Sequence, residues 1–514
     1  MNRRILGLIR REYERKMEKS RDIKGIRKFF DMSEKEEYTL DNQTWEDLNM
    51  DNVYEKLDRN YSSLGEAALY SILRNPLMDE EKLKNRSRLI ELFKNDKKLR
   101  ERLLYIYFNL GKNIKNSFLY MMENELEVNR LKYYIYTFIG KVIPSIIILL
   151  SIFVDKKIIL GLFVLSGLNM IISNHEQSNI KSNGICYLRN IIIASKKIAG
   201  IKNEGIYGYT DRISSILKKI RDIDRSTRLI VITNVWGGLF EIIAFIFLLE
   251  ESAYYAVSSK LKDKKQYVME LYYIVGELEA LISIAGYQHN LKNKYIRPKF
   301  KNKTSLSIIE GVHPLIENAV PNSITINNKG IVLTGTNMSG KSTFLKMLGV
   351  NILLAQTFYF VLAKDYEASF LNIVTSISPN DDLVEGKSYY MAEAESILRI
   401  FDAIKKDIPV FCSIDEIFRG TNPVERIALS AEILKYLNNE NSIPIVTTHD
   451  RELADILKDD YDFYYFSEDV DNDKGLSFDY KLKKGISQTR NAIRLLEYMN
   501  YPKTIIENAY KRTE

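Results

Sequence analysis

A glycine-flanked loop ending in Lys341 and Ser342 carries the clearest chemistry in this chain. The run Gly335-Thr-Asn-Met-Ser-Gly340-Lys341-Ser342 has the spacing G-x-x-x-x-G-K-[ST]. An apolar run, Ile331–Thr334, comes before it and an apolar helical pattern follows from Ser342. Glycines at those positions let main-chain N–H groups close around phosphates, and a helix N-terminus adds favourable partial charge. Gly335, Asn337, Met338, Ser339, Gly340 and Thr343 are therefore candidate nucleotide contacts. Lys341 is expected to reach the β- and γ-phosphates, and the Ser342 hydroxyl to ligate Mg²⁺. The implied cofactors are ATP and Mg²⁺.

A second signal is independent of the first. Val410-Phe-Cys-Ser-Ile-Asp415-Glu416 is an apolar run ending in two acids. Asp415 at a strand end can hold the Mg²⁺ hydration shell, and Glu416 can polarise an attacking water. A lone Asp-Glu pair is a common acidic turn; downstream of a phosphate loop it reads as chemistry. His449 follows the apolar run Ile443–Thr447 and is expected to sense the γ-phosphate, although a lone histidine more often has a structural part. The catalytic candidates are Glu416, Lys341 and His449, and the metal candidates Ser342 and Asp415.

These residues need a scaffold. After Gly311 short apolar runs alternate with helical segments, and Ile331–Thr334, Pro409–Ile414, Ile443–Thr447 and Phe463–Phe466 read as strands. That alternation implies an α/β domain with a mainly parallel sheet. The first 130 residues read as helical. Between Tyr133 and Ile172 the texture turns apolar: residues 133–154 carry only Lys141 as a charge, and residues 158–172 carry none. Asp155, Lys156 and Lys157 separate the two runs. A bilayer crossing takes roughly 20 apolar residues, so a transmembrane hairpin over 133–172 is expected, its second leg slightly short. A buried helical hairpin is the alternative. Lys112, Lys115, Arg130 and Lys132 precede the hairpin, and Lys181, Arg189, Lys196 and Lys197 follow it, which favours both ends in the cytoplasm. A third apolar stretch, Leu229–Leu249, contains Glu241 and is expected to be a core helix.

Composition sets outer bounds. With 46% apolar and 27% charged residues over 514 positions, wholesale disorder is excluded. Residues 1–28 hold eleven Lys and Arg against four acids, which accounts for the whole net charge of +7. Such a leader can bind anionic lipid or nucleic acid, or be a solvated basic helix. The two cysteines, Cys186 and Cys412, provide neither a disulfide framework nor zinc spacing, which fits a reducing cytosol. Cys412 is expected to be a small buried hydrophobe. No secretory signal is read at the start, where the apolar Ile5–Ile9 is short and Arg10 and Arg11 follow at once.

The wording around these motifs resembles the MutS family of DNA mismatch-repair ATPases. Thr334-Gly-Thr-Asn-Met-Ser-Gly-Lys-Ser-Thr343 is similar to that family's phosphate loop, Asp381-Asp-Leu-Val-Glu-Gly-Lys-Ser388 with Met391 and Glu393 to its signature segment, and Asp415-Glu-Ile-Phe-Arg-Gly-Thr421 to the stretch joining the Mg²⁺ acid to the dimer-contact loop. Thr447-Thr-His449 resembles its switch, and His313-Pro314 its ATPase-domain entry. Tyr480–Gly485 and Tyr501–Ala509 resemble the closing strand and helices. Leu57-Asp-Arg-Asn60, Gly65, Leu73–Leu77, Arg86 and Glu91 resemble the start of the helical core, and Glu277–Ala285 its return helix.

The resemblance implies a fold of class α plus α/β: a helical core and lever domain, here with an apolar hairpin, then a C-terminal P-loop ATPase domain of the ABC type. The expected partition is a basic leader over 1–40, helical core over 41–132, the hairpin over 133–173, lever and core return over 174–300, and the ATPase domain over 301–514. It also implies a homodimer in which Ser388 approaches the partner's γ-phosphate and Gly386 allows close approach. Three crossings would put the two ends of such a chain on opposite sides of a membrane, which is why Leu229–Leu249 is read as core. Only some forty residues precede the core, without the Phe-x-Glu that mismatch readers insert, so mismatch reading is not expected. Thr336 and Ser339 depart from the commonest family residues without removing a phosphate-binding N–H.

The leading expectation is a dimeric ATPase on the cytoplasmic side of the cell membrane that acts on DNA or a DNA-bound partner, with a purely cytoplasmic chain as the alternative location. A second function class is an ATP-gated scaffold that recruits membrane proteins and touches no DNA. A transporter motor is excluded by the lack of a Leu-Ser-Gly-Gly-Gln signature, and a nuclease by the lack of a further metal site; no zinc is expected.

Overall fold

The computed structural model describes residues 2–14, 21–124, 128–180, 183–235, 246–292, 294–336, 339–377, 389–418, 422–471, 475–486, 493, 496, 499 and 501–513. The chain forms two units, each assembled from three segments. One comprises Met1–Glu34, Asp58–Ser71 and Leu89–Gly286; the other comprises Lys35–Leu57, Ile72–Arg88 and Tyr287–Glu514.

The first unit is helical. Its organising element is the 42-residue helix Leu249–Asn290, which belongs to it as far as Gly286. Tyr272 on that helix stacks on Phe29 and Phe118, with ring centroids 5.1 and 5.3 Å apart. A Cβ on Gly276 would sit 2.3 Å from the carbonyl oxygen of Leu64, so glycine there lets helix Ser63–Arg74 cross the long helix closely. Glu279, fully buried one turn on, accepts from the main-chain N–H groups of Tyr61 (2.6 Å) and Ser62 (3.2 Å) and from the Ser62 hydroxyl.

The apolar hairpin projects from this unit as two continuous helical runs, Arg130–Phe153 of 24 residues and Lys156–Glu176 of 21. Pro144 lacks an N–H for the carbonyl of Gly140, and the backbone widens to a π turn over Phe138–Val142 just before it. Asp155 ends the first leg and caps the second run, its side chain accepting from Lys157 N–H at 2.9 Å. At the open end, buried Glu176 joins both legs to the long helix. It accepts from Lys132 Nζ (2.9 Å) and the Tyr136 hydroxyl (2.7 Å) on one oxygen, and from the Tyr255 hydroxyl (2.7 Å) on the other. Of the third apolar stretch, residues 236–245 lie outside the described residues; Leu248 is fully buried.

The second unit is α/β with mixed sheets. Ten strands are described: β1 (Lys299–Phe300), β2 (Leu306–Gly311), β3 (Asn322–Ile326), β4 (Gly330–Thr334), β5 (Asp365–Ala368), β6 (Asn372–Ser376), β7 (Val410–Asp415), β8 (Ser442–Thr447), β9 (Tyr461–Asp471) and β10 (Gly475–Lys484). One sheet has the order β1-β5-β2-β3 and the other β10-β9-β4-β8-β7-β6. In the larger sheet β9–β10 is antiparallel, whereas β4–β8, β4–β9, β6–β7 and β7–β8 are parallel. Strands β4 and β6 are buried throughout, as expected for strands covered on both faces. The core between the sheet and helices Tyr389–Ile404 and Pro423–Asn439 includes Ile400, Cys412, Ile414, Leu434 and Val446. Burial pushes the Cys412 thiol up to about 12, so it is an inert packing group.

The N-terminal segment of this unit covers the free edge of β6. Thr44 Oγ1 accepts from Thr375 N–H (3.2 Å), and Asp47 Oδ2 accepts from the Thr375 hydroxyl (2.7 Å) and Ile377 N–H (2.9 Å). Arg399 then closes on Asp41 at 2.6 Å.

Candidate functional site

Strand β4 delivers the chain to Gly335, whose φ of 139° no side chain adopts comfortably. A Cβ there would stand 2.7 Å from the Phe466 carbonyl oxygen on β9, so glycine is needed for space as well as conformation. Gly340 (φ 107°) makes the second turn and caps helix Lys341–Phe358. That helix is apolar on nearly every face and almost wholly buried, which fixes its N-terminus in place.

Lys341 is buried, and its ammonium donates to the carbonyls of Gly335 and Thr336, both at 2.8 Å. The loop thus folds around its own lysine. Ser342 Oγ donates to Asp415 Oδ2 at 2.6 Å, while the Thr447 hydroxyl bonds to the other Asp415 oxygen. Register explains the meeting, since Asp415 of β7 lies directly opposite Thr447 of β8. Glu416 follows in the left-handed region (φ 61°), anchored by its N–H to the Thr447 carbonyl at 3.2 Å. Such a backbone costs about 1–3 kcal/mol for a residue with a Cβ and turns Glu416 away from the strand direction. His449 Nε2 lies 3.1 Å from Glu416 Oε1.

Lys341, Ser342, Thr343, Gly340, Asp415 and Glu416 therefore share the wall of one cavity of about 920 Å³. Its other walls were not legible as a site: Asn318, Val320 and Asn322 from the approach to β3, Phe466 of β9, and Tyr480 of β10. Tyr480 sits at a break in the β9–β10 register with φ 52°, and Asn322 holds it there, donating to its carbonyl at 2.9 Å. His313 also lines the cavity, and burial together with Lys346 pulls its pKa down to about 4, keeping the ring neutral. Ser339 Oγ is buried without a hydrogen-bond partner among the described residues. Asn337, Met338, Gly386 and Ser388 lie outside the described residues.

This donor set fits a magnesium nucleotide. A hydroxyl and a carboxylate already touch, and the ammonium donates to two carbonyls of its own loop.

A family model for MutS domain V matches residues 331–514, the stretch that builds this cavity floor. The DNA mismatch repair protein MutS of Fusobacterium nucleatum is 25% identical over 505 residues, covering 88% of this chain and 56% of that protein. These matches support a MutS-family assignment. MutS of Listeria monocytogenes (serotype 4a) is 31% identical over 278 residues, covering 52% of this chain and 32% of the relative. MutS of Thermus thermophilus is 28% identical over 276 residues, covering 53% and 33%. The chain thus spans between about a third and just over half the length of the curated relatives it matches.

Behind Glu416 the same chain has a second, smaller cavity of about 210 Å³. It is lined by His449, Thr448 and Ser430, with Arg426 held to Asp450 through two hydrogen bonds of 2.7 and 3.1 Å. Glu416 lines both cavities, so its carboxylate separates the phosphate-loop side from the His449 side.

Proposed function

We propose that this chain binds and hydrolyses ATP at the loop Gly335–Thr343, at sites completed by a second copy, and that residues 133–172 hold it at the cytoplasmic face of the cell membrane. The observation that carries the chemistry is the convergence of Lys341, Ser342, Asp415 and Glu416 on one cavity, with His449 behind Glu416. Lys341 exchanges two loop carbonyls for phosphate oxygens. Ser342 and Asp415 would hold Mg²⁺, which neutralises phosphate charge when bound. Glu416 orients water and takes up its proton, and His449 fixes the carboxylate. The cavity beyond the phosphate end accepts the nucleoside, with the Tyr480 ring available for stacking on the base.

Support for the membrane comes from the two apolar runs. Their mean hydropathies are 2.0 and 1.6, and only 22% and 17% of the most apolar windows are buried. Phe153 and Phe163 are 80% and 83% exposed. Apolar surface of that extent calls for a covering phase.

Homodimerisation, and action on DNA or a DNA-bound partner, come to this reading from the MutS relatives. The second reading, an ATP-gated scaffold without DNA, is favoured by one observation: the basic excess is confined to residues 1–28. Salt-dependent duplex binding by the full chain, compared with a version lacking 1–28, separates the two. The primary test is Mg²⁺-dependent ATP turnover by purified protein, abolished in Lys341→Ala. Turnover at the original rate in that variant defeats the assignment.

A further inference from the structure

Glu416 and His449 follow the ends of two neighbouring parallel strands, β7 and β8, and the segments leaving those strands meet a second time. Arg426 stands in helix Pro423–Asn439, which follows β7, and Asp450 is the N-cap of helix Arg451–Leu457, which follows β8. The guanidinium donates from Nε to Asp450 Oδ2 (3.1 Å) and from Nη2 to Oδ1 (2.7 Å). One planar fork thus engages both carboxylate oxygens, with the two side chains only 23% and 24% exposed.

Local preference favours neither residue in this arrangement. The N-terminal end of a helix favours anions, yet Arg426 closes the first turn of its helix, its N–H donating to the Asn422 carbonyl at 2.9 Å. An N-cap aspartate ordinarily accepts from a main-chain N–H in the first turn, and the Asp450 side chain makes no such bond. The contact between the segments therefore accounts for the pair better than the stability of either helix does.

What the contact holds is the backbone of His449. On one side Thr448 is fixed, its N–H donating to the Leu333 carbonyl of β4 at 3.0 Å. On the other, Asp450 is fixed through its carboxylate, and its N–H donates to the Thr448 hydroxyl at 3.0 Å. The imidazole between them is 40% exposed and borders the cavity of about 210 Å³. That space gives the ring somewhere to turn, away from Glu416, unless the residues flanking it are held.

We propose that Arg426 is a positioning residue for ATP hydrolysis: through Asp450 it keeps His449 in the orientation that brings Nε2 to Glu416. This rests on the roles given to Glu416 and His449 above. Arg426 lines the smaller cavity but not the phosphate-loop cavity, so its loss should spare nucleotide binding and slow the chemical step.

The test measures equilibrium ATP binding and single-turnover hydrolysis on the full chain. Arg426→Gln should leave the ATP dissociation constant within about twofold and slow hydrolysis roughly tenfold, short of the ~10²-fold that a misplacement of about 1 Å can cost. Asp450→Ala removes the other partner without removing a capping bond, and should show the same split; it decides the matter where Arg426→Gln does not fold. In a His449→Ala background, Arg426→Gln should cause no further slowing, because the ring it holds is gone. A wild-type rate in either folded variant overturns the proposal, as does a loss confined to ATP affinity or an equal slowing in the absence of His449. The two levels fail differently. A wild-type chain that hydrolyses no ATP removes the reading of the site and the positioning role together, whereas an active wild type indifferent to Arg426 removes the positioning role alone.

Discussion

His449 Nε2 stands 3.1 Å from Glu416 Oε1, and the two residues come from the ends of neighbouring parallel strands. The left-handed backbone at Glu416 aims its carboxylate between the phosphate-loop cavity and the cavity that His449 lines. A carboxylate so held has Oε1 beside the imidazole and, as an anionic acceptor with two oxygens, can also accept from water.

Glu416→Gln should therefore preserve shape and ATP affinity while reducing single-turnover hydrolysis about 10²–10⁴-fold. His449→Ala should cost less, because it loosens the carboxylate without removing it. The double variant should be no slower than Glu416→Gln alone, since the imidazole acts through that carboxylate. Equilibrium nucleotide binding beside quench-flow turnover checks both statements, and additive losses would contradict the coupling.

Much of this site was legible because its parts are local in sequence. The loop from Gly335 to Ser342 needs only its own spacing, and the runs expected as strands at Ile331, Pro409 and Ile443 match β4, β7 and β8 within a residue. The strand expected at Phe463–Phe466 is longer, reaching from Tyr461 to Asp471, because pairing with β10 extends it past the apolar core. Tyr480 was legible only as the start of the closing strand, with no sign that it walls the cavity. It enters the cavity through a register break between β9 and β10 and a hydrogen bond from Asn322, both long-range facts. Equally silent was the assignment of residues 35–57 and 72–88 to the C-terminal unit. A helical pattern records that a face must be buried, without naming the surface that buries it.

Asp47 shows how that surface is recognised. Its carboxylate accepts from the Thr375 hydroxyl and Ile377 N–H in a buried setting, at the edge of β6. Asp47→Ala would strand the Ile377 donor and destabilise the protein by about 2–3 kcal/mol. Chemical denaturation followed by far-UV circular dichroism reads the loss; a change under about 0.5 kcal/mol would mean that solvent replaces the carboxylate there.

Glu279 makes stability depend on pH. Burial raises its carboxyl to about 8, against the lowering effect of the Ser62 hydroxyl and the Tyr61 and Ser62 N–H groups. Its ordinary value is 4.5. Between those two values the folded chain holds a proton that the unfolded chain has released, so stability falls as pH rises through this window. The slope from this group is at most about 1.4 kcal/mol per pH unit. Glu279→Gln imitates the neutral carboxyl and should flatten that part of the profile. Melting temperatures of both proteins across pH 5–8 supply the comparison, and parallel curves would show that Glu279 is already ionised in the folded state.

The pairing of two chains makes the most demanding prediction. Ser388, read by resemblance as reaching the partner's γ-phosphate, and Lys341, proposed to grip phosphate within its own chain, would then serve different subunits of one site. A chain carrying Ser388→Ala still offers an intact Lys341, and a chain carrying Lys341→Ala still offers an intact Ser388. Each homodimer is expected to be inactive for its own reason. Random exchange gives about half heterodimers, and each of these contains one site with both residues intact. Mixing equal amounts should therefore restore roughly a quarter of the original turnover per chain, if the two sites work independently. Steady-state ATP hydrolysis after incubation for subunit exchange measures it. Recovery requires a site shared between chains, because neither variant can repair itself. Complete inactivity, with exchange verified by a tagged chain, would mean either that Ser388 and Lys341 act within one chain or that both sites must be intact for turnover; single-turnover nucleotide trapping by the tagged heterodimer decides between the two.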